Sequence, residues 1–262
     1  MGADDISIPR LALTYAMLIV PIGIILWYKV PTLGSTISAV LRMTVQLLFV
    51  GLYLQIVFEK DNIWLTLAWL FIMLIVANVS IIRDCGLKLK IFILPIFISM
   101  ALGTLSPLFF FIGVILNQPH ILNPQYVIPI GGMILGNCLE ANIIGLKAFY
   151  HTIRKDEKAY LHMLANGASL SEATKPYLRT SFQNALAPRI AVIGTTGLVA
   201  LPGMMTGVIL AGTNPITAIK YQLSIMFAIL TGAAITVILG ILMTRKTSFT
   251  RYGILNKSIF SK

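Results

Sequence analysis

Long apolar runs alternate with short polar connections along this chain. About 18 or more consecutive apolar residues can cross a hydrocarbon core that is about 30 Å thick. Because a helix satisfies its own backbone hydrogen bonds, such runs can lie in lipid. The pattern predicts seven transmembrane helices at residues 8–28, 36–58, 62–82, 91–116, 126–148, 188–210 and 221–244. We therefore expect an all-α, polytopic membrane protein.

Composition agrees with this prediction. The chain has 262 residues, of which 57% are hydrophobic and 11% are charged. A soluble domain usually has about 25% charged residues, so this chain has too few polar groups to cover a soluble surface. We expect residues 1–262 to form a single transmembrane domain.

The distribution of the positive charges predicts the orientation. Sixteen Lys and Arg residues fall on one side of the predicted spans and three on the other, with Arg42 inside a span. Cytoplasmic loops are enriched in Lys and Arg, so the N-terminus is predicted outside and the C-terminus inside. The net charge of +11 is explained by this topology and not by a nucleic-acid partner. The expected location is a bacterial inner (plasma) membrane, with lipid as a partner.

A polar segment, residues 149–187, lies between the fifth and sixth predicted spans on the inner side. Its first part has apolar residues on one broad face of a helix that begins near Glu157. Gly167 is expected to end this helix, because glycine accepts the left-handed conformation found after a helix C-terminus. The segment is therefore predicted to contain short helices and not a disordered loop.

A second short helix is predicted to begin at Ser169, which forms a capping box with Glu172. Pro176 is expected to end or kink it, because proline lacks the N–H of a helical hydrogen bond. Two helices with a glycine break are the arrangement by which an ABC permease contacts its ATPase, and a helix lying on anionic lipid is the alternative. The candidate coupling residues are Glu157, Leu161, Leu164, Gly167, Ser169 and Glu172.

The fifth predicted span contains a carboxylate, Glu140, which is energetically costly to place in a membrane. Met133, Asn137 and Glu140 share one face of this helix with two glycines four residues apart. A carboxylate inside a membrane normally faces the protein interior or a water-filled cavity.

Arg42 and Gln46 share a face of the second span. Arg42 and Glu140 are each predicted about 9–10 Å from the inner ends of their helices, so an ion pair between them is possible. The alternative for Arg42 is snorkelling to the inner headgroups.

The segment LPGMMTG, residues 201–207, is a second irregular feature. Pro202 removes one helical hydrogen bond in the outer half of the sixth span, which is tolerated where the backbone lines a cavity. Met204 and Met205 add thioethers, which suit copper(I) better than iron(II), although methionine also serves for packing. The candidate substrate-pathway residues are Met133, Asn137, Glu140, Arg42, Gln46, Met204 and Met205, and no metal ligand set is assigned.

Three stretches, GGMILGN, LANGAS and GLVALPGMMTGVILAGTNPITAIKYQLSIMF, resemble the FetB-type ABC permease family, which is associated with iron export and metal resistance. The resemblance implies a permease that exports iron or another metal as a homodimer with two copies of a separate ATPase. The chain has no G-x-x-x-x-G-K-[ST] motif for ATP phosphates. ATP and Mg are therefore expected on the partner, and no cofactor or enzyme activity is expected in this chain.

Two other functions stay open on the sequence. A plant branch of the family is linked to aluminium tolerance and sugar-nucleotide transport, which leaves an organic or amphiphilic solute as the cargo of the same permease. A membrane sensor or scaffold, with a basic inner segment that recruits a soluble partner, is the third interpretation.

Overall fold

The computed structural model describes residues 7–60 and 62–260, and these residues are almost entirely helical. The α-helices, in chain order, are α1 (Ile8–Thr14), α2 (Ile19–Trp27), α3 (Leu33–Lys60), α4 (Ile63–Asp84), α5 (Leu89–Phe110), α6 (Pro124–Lys155), α7 (Glu157–Ala165), α8 (Leu170–Thr195), α9 (Gly203–Leu210) and α10 (Pro215–Ser248). A tight turn of helix joins α1 to α2, and a wider one extends α5 to Ile115. The all-α polytopic prediction is confirmed.

Six membrane-length apolar helices occur in the described residues. They are Pro9–Trp27, Leu33–Lys60, Ile63–Asp84, Leu89–Ile115, Pro124–Lys155 and Pro215–Ser248, and they match the predicted spans except 188–210. Three of these helices begin with the same kind of N-cap, an asparagine. Asn62, Asn123 and Asn214 are the N-caps of α4, α6 and α10, and each accepts a hydrogen bond from the backbone N–H two residues later at 2.9 Å.

The predicted continuous span at 188–210 is wrong. Helix α8 begins in the polar segment and ends at Thr195, and the chain is non-helical until α9 begins at Gly203. Pro202 is the N-cap of α9 and not an interior residue, so it does not break a helical hydrogen bond as expected. The break occurs earlier, where Gly197 adopts a φ of +94°. In place of the predicted seventh span the structure has two helices, α8 and α9, separated by irregular backbone.

The polar segment is also more continuous than predicted. Residues 149–155 complete α6, and residues from 170 onward belong to α8, which continues through Pro176 and Pro188. Pro176 was expected to end or kink the second helix; it does not end it, and a kink there stays a prediction. Each proline removes one hydrogen bond, whereas the capping box and the packing of α8 against α6 and α10 stabilise the rest of the helix.

Close glycine contacts pack the centre of the fold. A Cβ added at Gly232 of α10 would lie 2.7 Å from the backbone oxygen of Gly103 on α5, and one added at Gly145 of α6 would lie 2.8 Å from Val237. Helices approach each other closely where such small residues face one another. We call helices α4, α5, α6, α8 and α10 the helical core.

Helices α6 and α10 run in the same direction, and α8 runs opposite to them. The hydroxyls of Tyr150 and Ser248 are 2.7 Å apart near the last turns of α6 and α10. The Arg245 guanidinium, near the end of α10, donates to Thr174, near the start of α8, at 3.1 Å. The chain must therefore return between α6 and α10, which α8 and α9 do together. Which end faces the cytoplasm stays a prediction from the charge bias.

Helices α1, α2 and α3 form an N-terminal hairpin that packs little against the core. Tyr15 and Thr44 join α3 to the short helical turn between α1 and α2 through hydroxyls 2.7 Å apart. Tyr53 joins α3 to α4 by donating to the Leu65 carbonyl at 3.2 Å and by stacking on Trp69 with ring centres 4.3 Å apart. Val57 is the buried residue of α3, so most of this hairpin is exposed in the isolated chain.

Candidate functional site

A cavity of about 250 Å³ lies between α6, α8, α9 and α10. Most of its wall is apolar, and its polar or polarisable groups are three thioethers, two amides, one hydroxyl and one guanidinium. These groups belong to Met133, Met204, Met226, Asn137, Gln222, Thr196 and Arg189. A mostly apolar pocket with a few convergent polar groups is the usual form of a small-ligand site.

Gln222 is one of four described residues with a buried side-chain atom that has no hydrogen-bond partner, and it is the one among them that lines this cavity. Its side chain is 6% exposed, it lines the cavity, and its Oε1 accepts no hydrogen bond from any described residue. A buried acceptor without a partner costs about 1–3 kcal/mol. A ligand or a water molecule in the cavity would remove this cost. Gln222 is therefore the group that most directly indicates a bound molecule.

Asn137 presents a second amide to the same cavity. Its Nδ2 donates to the backbone oxygen of Met133 one turn earlier at 2.7 Å, which fixes the orientation of the side chain. The Oδ1 is then the part of the amide left to accept a hydrogen bond or to coordinate a cation. The structure thus brings Met204 together with Met133 and Asn137, which the sequence had placed on one face of the fifth span.

Glu140 forms an ion pair with Arg189 of α8, and the predicted Arg42 pair is wrong. The Arg189 guanidinium donates to the Glu140 carboxylate and also lines the cavity. The Arg189 side chain is 17% exposed and that of Glu140 is 56% exposed. Arg189 lines the cavity, whereas Glu140 lies outside its wall. Arg189 lies at the start of the sixth predicted span, 188–210, and the sequence did not indicate that a helix from the polar segment would carry it into the core.

Glu140 lies close to the level at which α4 ends. The Cys85 thiol, directly after α4, donates to the Ile143 carbonyl of α6 at 3.8 Å. Glu140 is three residues from Ile143, which is about 4.5 Å along a helix. A charge at the bilayer centre costs about 2.5–3.5 kcal/mol on insertion scales, and a paired carboxylate near the membrane surface costs less.

The other nominated pathway residues do not join the cavity. Arg42 and Gln46 lie on exposed faces of α3, and neither lines it. Met205 is buried at 8% exposure but points elsewhere than Met204, so it is not a lining residue. Adjacent residues on a helix differ by about 100°, so a Met-Met pair is not expected to present both sulfur atoms to one cavity.

The break between α8 and α9 forms one wall of the cavity. Thr196, Ala200 and Pro202 all line it. The Gly197 N–H donates to the Ala200 carbonyl at 2.9 Å, which makes a tight turn whose tip exposes Leu198 and Val199. Non-helical backbone at membrane depth is tolerated where it lines a cavity.

The α7–α8 turn has the local geometry predicted from the sequence. Gly167 has a φ of +85°, the Gly167 N–H donates to the Leu164 carbonyl at 3.0 Å, and the Ala168 N–H donates to the Met163 carbonyl at 3.1 Å. Both bonds satisfy carbonyls at the end of α7, as in a Schellman motif.

The capping box at the start of α8 is confirmed. The Glu172 carboxylate accepts from the Ser169 backbone N–H at 2.8 Å, and Ser169 Oγ accepts from the Glu172 N–H at 3.3 Å. Hydrogen bonds from the Ser169 side chain and backbone to the carboxylate lower the pKa of Glu172. The carboxylate therefore stays ionised near neutral pH and supports the helix N-terminus.

Helix α7 is held against α8 and the C-terminal tail. The Tyr160 hydroxyl donates to the Gly253 carbonyl at 2.6 Å, and Leu164 packs on Gly253. Glu157 forms an ion pair with Lys257 at 3.1 Å. Leu161 is 37% exposed and lies beside these contacts, next to Glu157, Tyr160 and Lys257. The segment is thus a docked helix with an apolar residue on its outer surface.

The described residues contain no group of three or more His, Cys, Asp and Glu side chains that could hold a metal ion. The groups that the cavity offers to a cation are thioethers and amide oxygens. Such ligands favour soft ions, whereas carboxylates favour hard ones. Gln222 and Met226, which sequence reasoning missed, lie in KYQLSIMF, where a single amide in an apolar run was the available signal.

Comparison with known proteins gives relatives over nearly the whole chain. The family described as "Uncharacterised protein family (UPF0014)" matches residues 8–249. UPF0014 membrane protein YjkA of Bacillus subtilis is 30% identical over 243 residues, which cover 92% of this chain and 95% of the relative. No solved structure matches.

Two further relatives have functional names. Probable iron export permease protein FetB of Escherichia coli is 31% identical over 247 residues, 93% of each chain. Protein ALUMINUM SENSITIVE 3 of Arabidopsis thaliana is 28% identical over 249 residues, 94% of this chain and 89% of the relative. These matches confirm the FetB-type resemblance, and the chain belongs to the UPF0014 family, whose relatives include proteins named as membrane proteins.

Proposed function

We propose that this chain is the membrane-spanning subunit of an ABC transporter that exports a metal ion, iron or another, with ATP hydrolysis on a separate subunit. The observation on which the proposal rests is the cavity between α6, α8, α9 and α10, in which a buried Gln222 oxygen has no partner. The name of the FetB relative supports the metal cargo and the permease role.

The cavity residues have separate roles in this proposal. Glu140 is a negative group near the predicted inner end of the pathway and attracts a cation from the cytoplasm. Arg189 balances that charge at the cavity wall. Gln222 and Asn137 offer oxygen atoms, and the methionines offer sulfur atoms, to the cation after it has lost water.

The path from cavity to ATPase runs through one helix. Helix α8 begins at the capping box beside Gly167 and ends at the break that lines the cavity. Helix α8 has 26 residues, so a displacement of its first turn can be transmitted to the cavity wall without an intervening loop. This continuity supports the α7–α8 turn as the surface that contacts the ATPase.

The exposed N-terminal hairpin supports a homodimer. Arg42 is a charged group within a predicted span, on an exposed face of α3, and a charge that faces lipid is costly. A second copy would cover part of this face, and two copies with two ATPases would give a symmetric transporter.

Reconstitution tests the transport function. The permease and its ATPase are placed in liposomes, and ATP turnover and solute flux are measured with iron(II), silver(I) as a soft cation, and an uncharged amphiphile. We expect one of the metal ions to raise ATP turnover and to cross the bilayer. If no solute does either, the transport proposal is wrong.

Two carboxylate variants in the same assay test the role of Glu140. Glu140→Gln is expected to lower metal flux by about 10-fold or more while the protein still copurifies with the ATPase. Glu59→Gln, which changes an exposed carboxylate on α3, is the matched control and should keep its flux. If Glu140→Gln only lowers the unfolding temperature and a second change, Arg189→Gln, restores it, the pair is structural and has no role with cargo.

An organic or amphiphilic cargo is the second candidate, and the largely apolar wall of the cavity favours it. The uncharged amphiphile in the flux assay distinguishes the two. If the amphiphile stimulates ATP turnover and neither metal ion does, the cargo is an organic solute. The permease role is then retained and the metal cargo is wrong.

A further inference from the structure

A basic cleft lies at the predicted cytoplasmic end of the core, far from the cavity described above. Two cavities of about 580 and 540 Å³ flank the turn between α4 and α5. The first lies against α6 and the tail, and the second lies against the start of α5. The cations that line the first cavity are Lys147 and Arg154, and those that line the second are Arg83, Lys88 and Lys90. We call these five residues the basic cleft.

The cleft is a built site and not a random surface. Lys147 and Arg154 are seven residues apart on α6 and so share one face of that helix. The Arg154 guanidinium carbon lies 5.5 Å from the ring centre of Phe260, so the tail holds this side chain in place. The Lys88 N–H donates to the Ile259 carbonyl at 2.9 Å, which fixes the tail to the turn.

The positive charges of the cleft are not neutralised within the described chain. The ion pairs found there join Glu140 to Arg189 and Glu157 to Lys257, and none includes a cation of the cleft. Asp84 lies on the same turn but lines neither cavity. Five exposed cations, none of them in an ion pair within the described residues, leave an excess of positive charge beside Asp84 that fits an anion with several oxygen atoms.

The surroundings of the cleft favour an anion with an apolar tail. The turn lies where α4 ends and α5 begins, which is the level of the inner headgroups if these helices span the membrane. Exposed apolar side chains continue from it along both helices, with Val76 on α4 and Ile93 and Leu94 on α5. Acyl chains would lie along this surface while the headgroup occupies the cleft.

We propose that the basic cleft binds the phosphodiester headgroup of an anionic phospholipid of the inner leaflet. Basic pockets between membrane helices on the cytoplasmic side recognise such headgroups. The site is independent of the transport cavity and of the proposed cargo. It joins the α4–α5 turn, α6 and the tail, and the tail in turn contacts α7 through Tyr160. A bound lipid would therefore stabilise the surface that supports α7.

Lipid retention tests the proposal on the full-length permease in a neutral detergent. The protein is incubated with phosphatidylglycerol or phosphatidylcholine, and retained lipid is measured by mass spectrometry. We expect phosphatidylglycerol to be retained in preference to phosphatidylcholine. The double variant Lys147→Gln/Arg154→Gln should bind phosphatidylglycerol about 30-fold more weakly, the factor expected for two cations at an anionic headgroup.

A matched control removes the same charge elsewhere on the inner side. Lys175→Gln/Arg179→Gln changes two exposed cations of α8 that line neither cavity, and its binding should stay within about 3-fold of the unchanged protein. Equal losses in both double variants would mean that net charge attracts the lipid, and the site would be disproved. Should Lys147→Gln/Arg154→Gln fail to fold, the second cavity gives the same test through Lys88→Gln/Lys90→Gln.

Two further measurements exclude other occupants. Inorganic phosphate at millimolar concentration should not displace retained phosphatidylglycerol, and displacement would indicate a soluble phosphate ligand in place of a lipid. If Lys147→Gln/Arg154→Gln keeps its lipid but no longer copurifies with the ATPase, the cleft is a protein-docking surface and the lipid assignment is wrong.

Discussion

The N-terminal hairpin and the helical core are both apolar enough to span a membrane, but they are built differently. In the most apolar windows of Pro9–Trp27 and α3 no residue is buried within the chain, whereas in α6 and α10 half of the residues are buried. The core packs on itself through facing glycines and small polar residues. The hairpin offers its surface to lipid or to another chain.

The glycines show the difference most clearly. A Cβ at Gly103 or Gly232 of the core would meet backbone atoms at 3.0 Å or less. A Cβ at Gly23 or Gly51 of the hairpin would meet nothing within 4 Å. Gly103 and Gly232 are therefore required for helix packing, whereas the hairpin glycines have open space beside them, as do Gly136 and Gly194 of the core. Hydropathy alone does not separate these two kinds of span.

The largest effect is expected from a larger side chain at Gly232. In Gly232→Val the new Cβ would lie 2.7 Å from the Gly103 carbonyl oxygen and 3.0 Å from the Cys138 sulfur, so α5 and α10 must separate. We expect the free energy of unfolding to fall by about 3 kcal/mol, the upper end of the usual cost of overpacking. Thermal unfolding in detergent measures this change.

Gly51→Val is the matched control for that change. The space beside Gly51 is open, so the free energy of unfolding should change by less than about 1 kcal/mol, within the range of helix propensities. A large loss of stability in Gly51→Val, equal to that in Gly232→Val, would contradict the distinction between the two regions. Loss of dimers alone in Gly51→Val would show that α3 packs against a second copy.

A smaller effect is expected at Gly167, where backbone conformation and not space is the constraint. Its φ is +85° and no atom lies within 4 Å of an added Cβ. Gly167→Val forces a β-branched residue into the left-handed region, at a cost of about 1–2 kcal/mol. We expect the α7–α8 turn to rearrange and ATPase copurification to weaken.

Gly167→Asn is the control, because asparagine tolerates the left-handed conformation. It should keep both the ATPase and its stimulation. If the valine variant binds and stimulates the ATPase as well as the unchanged protein, the turn is not the coupling surface.

Local rules explain what could be predicted from the sequence. The stop at Gly167 and the Ser169–Glu172 capping box depend on residues within one turn of each other. The hydropathy pattern predicted the membrane spans other than 188–210 for the same reason, because each of these apolar runs is continuous along the chain.

The errors in the candidate site come from relations between distant segments. Arg189 is 49 residues from Glu140, and its position became clear only when α8 proved continuous through two prolines. Equal predicted depth favoured Arg42, but depth does not show which helices touch. Gln222 was missed because a single amide in an apolar run has no local pattern that distinguishes a cavity from a packed core.

The most direct test of the account compares one glutamine from each region. Gln222 is buried, without a partner, in the cavity, and Gln46 is exposed on α3. ATP-dependent metal flux into proteoliposomes is measured for Gln222→Leu and Gln46→Leu, each combined with the ATPase. The account predicts at least a 10-fold loss of flux in Gln222→Leu, with ATPase binding intact, and less than a 2-fold change in Gln46→Leu. Unchanged flux in Gln222→Leu, or a larger loss in Gln46→Leu, would contradict it.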